Sequence, residues 1–302
     1  MSLSIFKLKK WLNMLNGKSI LHVNQGIGKI YSKSGIKGYY NDLTEKVTKG
    51  DNLNEVKLPI LELEDGSKVL FPIAIFQYGL GSYDLYLLEN KQLYLNKFKL
   101  CVDWAINNQQ KDGSWSNFFF VHSNAPYSAM AQGEGVSLLL RAYKEFNDEK
   151  YLFGAKKAID FLLTPLDLGG TTKYFNGEVF LQEYTNEPTV LNGWIFAIFG
   201  LFDYFKVSED KRIKELLDKT LESLEAHLSE FDNGYWSMYD LGGRITSPFY
   251  HKLHIAQLEV LYDIFRNELF KEYSERWHKY QNNWFKRKHA FIVKVCQKLT
   301  EK

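Results

Sequence analysis

The chain has 302 residues, of which 45% are hydrophobic and 25% are charged, so it can bury a substantial core as one large domain or as a domain with an appendage. Its formal net charge is only +2, which gives no global positive field and argues against a nucleic-acid partner. No apolar run approaches the ~20 residues of a membrane span. Aromatic residues reach 16%, and tyrosine in such numbers is typical of half-buried surfaces, including carbohydrate sites.

The first part of the chain differs in pattern from the rest. Residues 1–16 are amphipathic, which predicts a docking helix and leaves association with a membrane surface as the alternative. Residues 19–69 carry Gly, Asn and Lys with short alternating segments, which predicts small hairpins. We therefore predict an N-terminal helix and β-hairpin element over residues 1–70 and a helical catalytic domain over residues 71–302.

Helical periodicity begins at residue 71 and comes in pairs. The first member of each pair is the more apolar, whereas the second is amphipathic and charged, so they suit an inner and an outer layer. The protein is predicted to be mainly α, an (α/α) toroid of about four helical hairpins with the small β-hairpin element over its mouth. The predicted pairs are 71–90 with 94–109, 127–146 with 150–163, 189–205 with 209–229, and 250–266 with 267–286.

Long loops rich in glycine and aromatic residues connect each outer helix to the next inner helix. Long loops in a compact domain are usually functional, and the topology places all of these at the end where the inner helices begin. Helix N-termini carry partial positive charge and free N–H groups, so this end suits a carboxylate. We therefore expect a site for a carboxylated sugar there.

Several short motifs at these helix starts carry a family resemblance. They are Tyr-Ser-Ala-Met-Ala-Gln-Gly at 127–133, Glu-Tyr at 183–184, Tyr-Asp-Leu at 239–241 and Tyr-His at 250–251. With Gln-Tyr-Gly-Leu at 77–80, they resemble the heparosan/heparan D-glucuronyl C5-epimerase family over most of the chain. The sequence departs from animal members, which carry a β-sandwich after the Gln-Tyr-Gly-Leu helix. It also lacks the family arginine directly after Tyr-Asp-Leu, since two glycines precede Arg244.

The resemblance implies conversion of D-glucuronate to L-iduronate within a polymer. The C5 hydrogen is weakly acidic because it lies α to the carboxylate, and its removal gives an enediolate that needs positive groups or donors. Inversion then requires a proton from the opposite face, so two acid/base groups must flank the ring, and no cofactor is needed. The candidate catalytic residues are Glu183, Tyr184, Tyr239, Tyr250, Tyr78 and Tyr40.

A second set of residues consists of candidate substrate contacts. For Tyr78, the alternative role is core packing. For Asn117, Gln132 and Asn192, the alternative is capping of a helix end, and for Trp115 it is anchoring of a loop. Two histidines three positions apart could meet one ligand but have no third metal partner, so we predict no bound metal. The candidate substrate-binding residues are Trp115, Asn117, Tyr127, Gln132, Asn192, Arg244, His251 and His254.

Three other functions stay open on the sequence. Loss of O4 from the same enediolate would make the protein a uronate polysaccharide lyase. A glycoside hydrolase would need two carboxylates about 5–9.5 Å apart, with Glu187, Asp232 and Asp240 available beside Glu183. A non-catalytic glycan-binding module would have no need of clustered tyrosines.

The expected setting of the protein follows from what the sequence lacks. The absence of Asn-X-Ser/Thr sequons and of a long apolar leader predicts a cytoplasmic enzyme of capsule or exopolysaccharide synthesis in a prokaryote. A homodimer is an expected assembly, and a uronate-containing polysaccharide is the expected partner. Cys101 and Cys296 lie far apart in helical patterns and are expected to be buried thiols.

Overall fold

The computed structural model describes residues 22–49 and 53–300, so the helix predicted over residues 1–16 lies outside the described part of the chain. The described residues are mainly helical, with a few short strands. The helices are α1 (Thr44–Thr48), α2 (Pro72–Glu89), α3 (Gln92–Asn108), α4 (Ala129–Phe146), α5 (Glu149–Leu162), α6 (Leu191–Ser208), α7 (Lys211–His227), α8 (Pro248–Phe265), α9 (Glu268–Asn282) and α10 (Trp284–Thr300), and the strands are β1 (Leu61–Glu62), β2 (Lys68–Val69), β3 (Thr172–Phe175) and β4 (Glu178–Leu181).

The four helical hairpins have the same turn structure between the inner and the outer helix. The inner helices α2, α4, α6 and α8 each have 18 residues and end at a residue in the left-handed region. A second, extended residue then starts the outer helix, and in three of the four turns its side chain accepts a backbone N–H of the first turn. The left-handed residues are Asn90, Asn147, Glu209 and Arg266, with φ from 51° to 57°.

The inner helices pack side by side in the order α2, α4, α6, α8, and the outer helices cover them. The closest approach is between α4 and α6, where a Cβ on Gly200 would overlap the backbone of Gly133. Only glycine allows two helix backbones to come so near. The inner helices are buried over most of their length, as their apolar composition predicts. The predicted (α/α) toroid is therefore confirmed.

The middle of the N-terminal segment, residues 31–40, packs against the C-terminal parts of the inner helices. The Arg141 guanidinium of α4 donates to the Gly38 carbonyl at 2.8 Å, and the Tyr31 hydroxyl donates to Asp263 of α8 at 2.7 Å. The segment has isolated bridges, such as Ile27 with Asn41, and no regular hairpin. The β-hairpin that does form in the N-terminal part is the two-residue pair β1 and β2.

The end of the chain differs from the prediction of one helix up to residue 286. Asn283 is extended, with ψ of 114°, so α9 ends at Asn282 and α10 is a separate helix. The hairpin of β3 and β4 was also not predicted. Cys101 is buried as expected, whereas Cys296 on α10 is exposed, so that part of the prediction was wrong. Within the described residues, none of the helices is long and apolar enough to cross a membrane.

Candidate active site

Two loops are held together at the N-terminal end of the inner helices. The loop after β4 is tied to α4, because the Ala129 N–H donates to the Gln182 carbonyl at 2.8 Å. The loop before α8 is tied to α6, because the Leu191 N–H donates to the Tyr239 carbonyl at 3.1 Å. A further bond runs from the Leu241 N–H to the Thr189 carbonyl at 3.0 Å. Residues distant in sequence therefore meet at one mouth.

Glu183 is buried at this mouth. Its Oε2 accepts from the Asn192 side chain at 3.4 Å, and it lies so close to Gly193 that any Cβ there would overlap it. Burial raises the pKa of Glu183 to about 8, while Arg244 acts in the opposite direction and Glu187 adds to the rise. The carboxyl group is thus poised to exchange a proton near neutral pH.

Three half-buried tyrosines surround Glu183. The rings of Tyr239 and Tyr250 have centroids 5.1 Å apart, and the side chain of Tyr239 lies close enough to Tyr184 to oppose the rise in the pKa of Tyr184. Tyr184 also stacks on Phe118 at 4.3 Å, which fixes the plane of its ring. Burial, and then the charge of Glu183, raise the pKa values of all three hydroxyls, so they stay protonated and can donate.

Arg244 takes a place beside Tyr239. Its guanidinium lies 5.3 Å from the centroid of the Tyr239 ring, donates to Asp240 and bonds Glu187 at 2.7 Å. The turn that carries it depends on Asp240, whose carboxylate accepts the Gly242 and Arg244 N–H groups at 3.0 and 3.1 Å. The two extra glycines found in the sequence thus form the turn that brings Arg244 back to the site.

Within the described residues, two neighbouring cavities lie at the mouth, and both are lined by Tyr184, Tyr250 and His22. The inner pocket has a volume of about 150 Å³ and also contains Glu183 and Asn192. The outer cleft has a volume of about 420 Å³. The other residues lining the outer cleft are Val121, His122, Glu187, Tyr239, Arg244, Ser247, Lys294 and Lys298.

Several polar residues of the inner pocket were missed by the sequence analysis. Lys46 of α1 and Gln77 of α2 line it, and Gln77 donates to Glu134 of α4 at 2.8 Å. Burial raises the pKa of Glu134 to about 8 and lowers that of Lys46 to about 8. The charge of each group opposes the shift of the other, because it favours the other's charged form. The available signal was Glu134 itself, an acid that directly follows the Ala-Gln-Gly motif on an inner helix.

Two of the predicted catalytic tyrosines lie elsewhere. Tyr78 faces α3, where its ring is 5.7 Å from the Lys97 ammonium, so Gln77 and not Tyr78 reaches the pocket. Tyr40 is buried at the opposite end of the inner helices, where its hydroxyl donates to Asp203 at 2.6 Å. The expectation that both tyrosines close the mouth was wrong, because Tyr40 anchors residues 22–49 to α6.

Four predicted substrate contacts instead hold the loops. The Trp115 indole is buried and donates to the Ala105 carbonyl at 2.9 Å. The Gln132 side chain bridges the backbone of this loop and α5, and Asn117 accepts the Ile73 N–H at 3.2 Å, which caps α2. Tyr127 packs on Phe161 and bonds Gln110, outside both cavities. For these residues the alternatives of anchoring and capping hold.

The two histidines of α8 face α9. His251 stacks on Trp236 at 3.6 Å and shares a hydrogen bond of 3.1 Å with the Trp277 carbonyl, while His254 contacts Ser237 at 3.3 Å. Both are fully buried outside the cavities, so the prediction that they touch substrate was wrong. Over residues 22–49 and 53–300, no group of three or more His, Cys, Asp or Glu side chains is arranged to hold a metal.

Glu134 allows a prediction about stability. The pKa of Glu134 is about 8 in the folded protein and ~4.3 for an ordinary glutamate. Its contribution to the stability of the fold is therefore complete below about pH 4 and is lost as pH rises through about 8. The free energy of unfolding of the unmodified protein should therefore fall between about pH 5 and 8. We expect Glu134→Gln to make this fall less steep, by on the order of 1 kcal/mol per pH unit. Denaturant unfolding at several pH values measures this.

The exposed Glu222 provides the control, because Glu222→Gln should leave the pH dependence unchanged. Glu183 titrates in the same range and will keep part of the slope. An unaltered slope in Glu134→Gln would contradict the burial of an ionisable Glu134.

The chain matches a known protein family. Residues 86–279 match the family model described as the D-glucuronyl C5-epimerase C-terminus. The chain belongs to this family. The matched region includes Glu183, Tyr184, Tyr239 and Tyr250, which the structure gathers at the mouth, and the resemblance inferred from the sequence is confirmed.

Two curated relatives extend this comparison. The D-glucuronyl C5-epimerase of Caenorhabditis elegans is 28% identical over 265 residues, which covers 78% of this chain and 42% of the relative. An uncharacterized protein of Methanocaldococcus jannaschii is 32% identical over 155 residues, covering 49% of this chain and 50% of the relative. The chain thus spans half or less of the length of these two relatives.

Solved structures show a more distant likeness. An alpha-1,6-mannanase, GH76A, from Salegentibacter sp. HEL1_6 aligns with a TM-score of 0.48 and 14% identity, over 70% of this chain and 62% of that one. A family 76 glycoside hydrolase from a bovine Bacteroides thetaiotaomicron strain aligns with a TM-score of 0.48 and 17% identity, over 68% and 46%. At such values neither structure bears on the function of this family member.

Proposed function

We propose that the protein inverts C5 of D-glucuronate residues in a polysaccharide, giving L-iduronate. The observation that carries this is the convergence of Glu183 with the hydroxyls of Tyr184, Tyr239 and Tyr250 on one mouth. A hydrolase or a binding module has no use for three half-buried phenols around one acid. Membership of the C5-epimerase family supports the same reaction.

The two cavities suggest how two faces of one ring are served. Glu183 lies on the inner side and Tyr239 on the outer side, while Tyr184 and Tyr250 border both. We assign removal of the C5 proton to the Glu183 carboxylate, which leaves the electron pair in the enediolate. Tyr239 then donates its proton to C5 from the opposite face, since inversion needs a carrier on each side.

Arg244 makes Tyr239 the suitable donor. A phenol that has given up its proton is an anion, and the guanidinium 5.3 Å from the Tyr239 ring lowers the energy of that anion. The phenolate regains a proton from Tyr184, whose side chain lies beside it in the outer cleft, and Tyr184 is reprotonated by solvent there. Glu183, now protonated, returns its proton to solvent or to the reverse reaction.

The outer cleft supports a polymeric, anionic substrate. Lys294 and Lys298 of α10 line it together with Arg244, and α10 docks on the Arg244 loop, where Gln297 accepts the Ile245 N–H at 3.0 Å. Sugars that flank the reacting uronate carry further carboxylates, which these cations would attract. Heparosan, an unsulfated glucuronate polymer, is the first substrate to test.

Lys298 gives a prediction for polymer binding. We expect Lys298→Gln to raise KM for heparosan by up to about 5-fold with little change in kcat, because a single charge in an open cleft contributes about 1 kcal/mol or less. The KM should also depend less on salt, since salt screens this attraction in the unmodified protein. Lys288→Gln is the control, because Lys288 lies on the same helix outside the cleft. Equal effects of the two variants would contradict the role of the cleft.

Product analysis tests the function itself. The protein is incubated with heparosan, and the polymer is analysed for L-iduronate, for an absorbing unsaturated uronate and for shortened chains. The proposal predicts iduronate in chains of unchanged length. Unsaturated uronate would show that O4 leaves from the enediolate and that the protein is a lyase, and new reducing ends without unsaturation would indicate a hydrolase.

A further inference from the structure

The last helix, α10, has an apolar face that is exposed on the surface of the fold. Phe285, Ile292 and Leu299 are 77%, 60% and 69% exposed. They are seven positions apart, which is nearly two turns, so they form one line along the helix. Trp284 is also exposed and packs edge-on against Phe285 at 5.0 Å. These four residues are called the α10 stripe. A continuous apolar surface of this kind usually marks a site of interaction.

The opposite face of α10 fixes the helix on the fold. Ala290 and Lys294 are the two buried residues of the helix. Gln297 accepts the Ile245 N–H at 3.0 Å and donates to the Gly243 carbonyl at 3.0 Å. Because these contacts hold α10 in one orientation, the stripe is a fixed feature of the surface.

Positive charge is concentrated on the same helix. Five of its 17 residues are lysine or arginine, and none is aspartate or glutamate. The whole chain, by contrast, has a formal net charge of only +2. Arg287 and Lys288 are exposed in the first two turns, beside Trp284 and Phe285. Exposed aromatic residues next to cations are typical of helices that lie on the surface of an anionic membrane.

A second exposed apolar element borders the outer cleft together with α10. Phe119 and Val121 lie in the loop before α4, and both are exposed. Val121 lines the outer cleft, as do Lys294 and Lys298 of α10. Apolar surface therefore occurs on two separate segments beside the mouth, which suits an extended partner better than one small ligand.

A second copy of the chain fits this face poorly. A two-fold contact along α10 brings two helices of the same positive sign together, and neither helix has an acidic side chain to compensate the other. Like charges brought together in this way oppose association. The headgroups of anionic phospholipids supply the complementary charge, and the boundary with the acyl chains accepts aromatic and aliphatic side chains.

We propose that α10 binds the surface of an anionic phospholipid membrane. The α10 stripe enters the boundary between headgroups and acyl chains, and Arg287 and Lys288 lie among the lipid phosphates. The helix lies along the membrane and does not cross it. This inference goes beyond the proposed reaction and does not depend on it. It places the outer cleft near the lipid surface, because Lys294 and Lys298 of the same helix line that cleft.

Vesicle binding tests the proposal with the full chain. Sedimentation with vesicles of phosphatidylcholine and phosphatidylglycerol in equal parts is compared with sedimentation with phosphatidylcholine alone. The mixed vesicles should bind at least about 10-fold more strongly, because each cation near an anionic surface strengthens binding about 5-fold. Phe285→Gln combined with Ile292→Gln should weaken this binding about 10-fold or more, because two apolar side chains no longer enter the lipid. Arg287→Gln combined with Lys288→Gln should weaken binding to the mixed vesicles alone.

The matched control combines Phe153→Gln with Leu168→Gln. Both residues are apolar and as exposed as the stripe, but they lie on other elements of the fold. The control should bind as the unmodified protein does, and thermal unfolding shows that each variant is folded. Equal losses in the control and in the stripe variant, or undiminished binding by the stripe variant, would overturn the proposal.

The neutral vesicles and the oligomeric state decide between the remaining outcomes. Equal binding to both kinds of vesicle would overturn the role of lipid charge, and no binding to the mixed vesicles would overturn the proposal as a whole. If the stripe variant then converted a dimer into a monomer in light scattering, the α10 stripe would be an interface between copies of the chain instead.

Discussion

Removing the hydroxyl of Tyr239 is expected to lower kcat for C5 inversion by about 10²- to 10⁴-fold, the usual cost of losing a general acid or base. Tyr239→Phe keeps the ring against Tyr250 and removes the proton carrier. Glu183→Gln should cause a loss of the same order, because an amide cannot accept the C5 proton. Rates of iduronate formation measure both effects.

Tyr78→Phe is the control for this experiment. Tyr78 shares the residue type, but its ring lies between α2 and α3 near Lys97, outside the pocket. Its activity should stay within about threefold of the unmodified protein, because loss of a hydroxyl away from the site changes stability by about 1 kcal/mol or less. If Tyr78→Phe lost as much activity as Tyr239→Phe, the position of the site would be wrong.

Asp203→Asn is expected to lower the free energy of unfolding by about 3–5 kcal/mol, since it leaves a buried guanidinium without its counter-charge. Asp203 is fully buried, accepts from Arg141 and Tyr40 at 2.6 Å, and pairs with Lys206 at 3.1 Å. Burial alone would raise its pKa, but Arg141 and Lys206 outweigh burial and hold it at about 2. Denaturant unfolding measures the loss.

The pH dependence adds a second check on Asp203. Because its pKa is depressed, its stabilisation is present above about pH 4 and is lost as pH falls through about 2, so the difference between the two proteins should shrink there. Asp160→Asn is the control, since Asp160 forms a 2.6 Å pair with Lys156 on the surface. It should cost about 1 kcal/mol or less. Equal losses in both variants would contradict a buried ion network that fastens residues 22–49.

The sequence carried enough information for the toroid and for the loop residues of the site. Glu183, Tyr184 and Tyr239 lie on loops before inner helices, and Tyr250 lies in the first turn of α8. The alternation of apolar and amphipathic helices sets the end at which these loops meet, so their convergence follows from topology. The sequence motifs identified these side chains, and the fold places them next to one another at the mouth.

The angular position of side chains around a helix explains why the sequence analysis assigned some residues to the wrong place. Each step along a helix turns a side chain by about 100°, so neighbours face different partners. Tyr250 and Leu253 line the inner pocket, and His251 and His254, one position further on, face α9. Spacing shows that two residues share a face, but only packing decides which face reaches the pocket.

Lys46 and Glu134 were missed for a different reason. Lys46 belongs to residues 22–49, which have little regular structure and whose position depends on contacts such as Arg141 with Gly38, far apart in sequence. Glu134 lies on an inner helix, where an isolated acid gives no indication of its partner. Both positions are set by tertiary packing, which overrides local pattern.

Solvent isotope exchange tests the central claim most directly. The protein is incubated with heparosan in D₂O, and deuterium at C5 is measured by NMR or mass spectrometry, with Glu183→Gln as the control. Proton removal by Glu183 and delivery by Tyr239 predict deuterium at C5 in the iduronate formed by the unmodified protein and almost none with the variant. Iduronate that keeps its original C5 hydrogen, or equal deuterium incorporation by Glu183→Gln, would contradict the account.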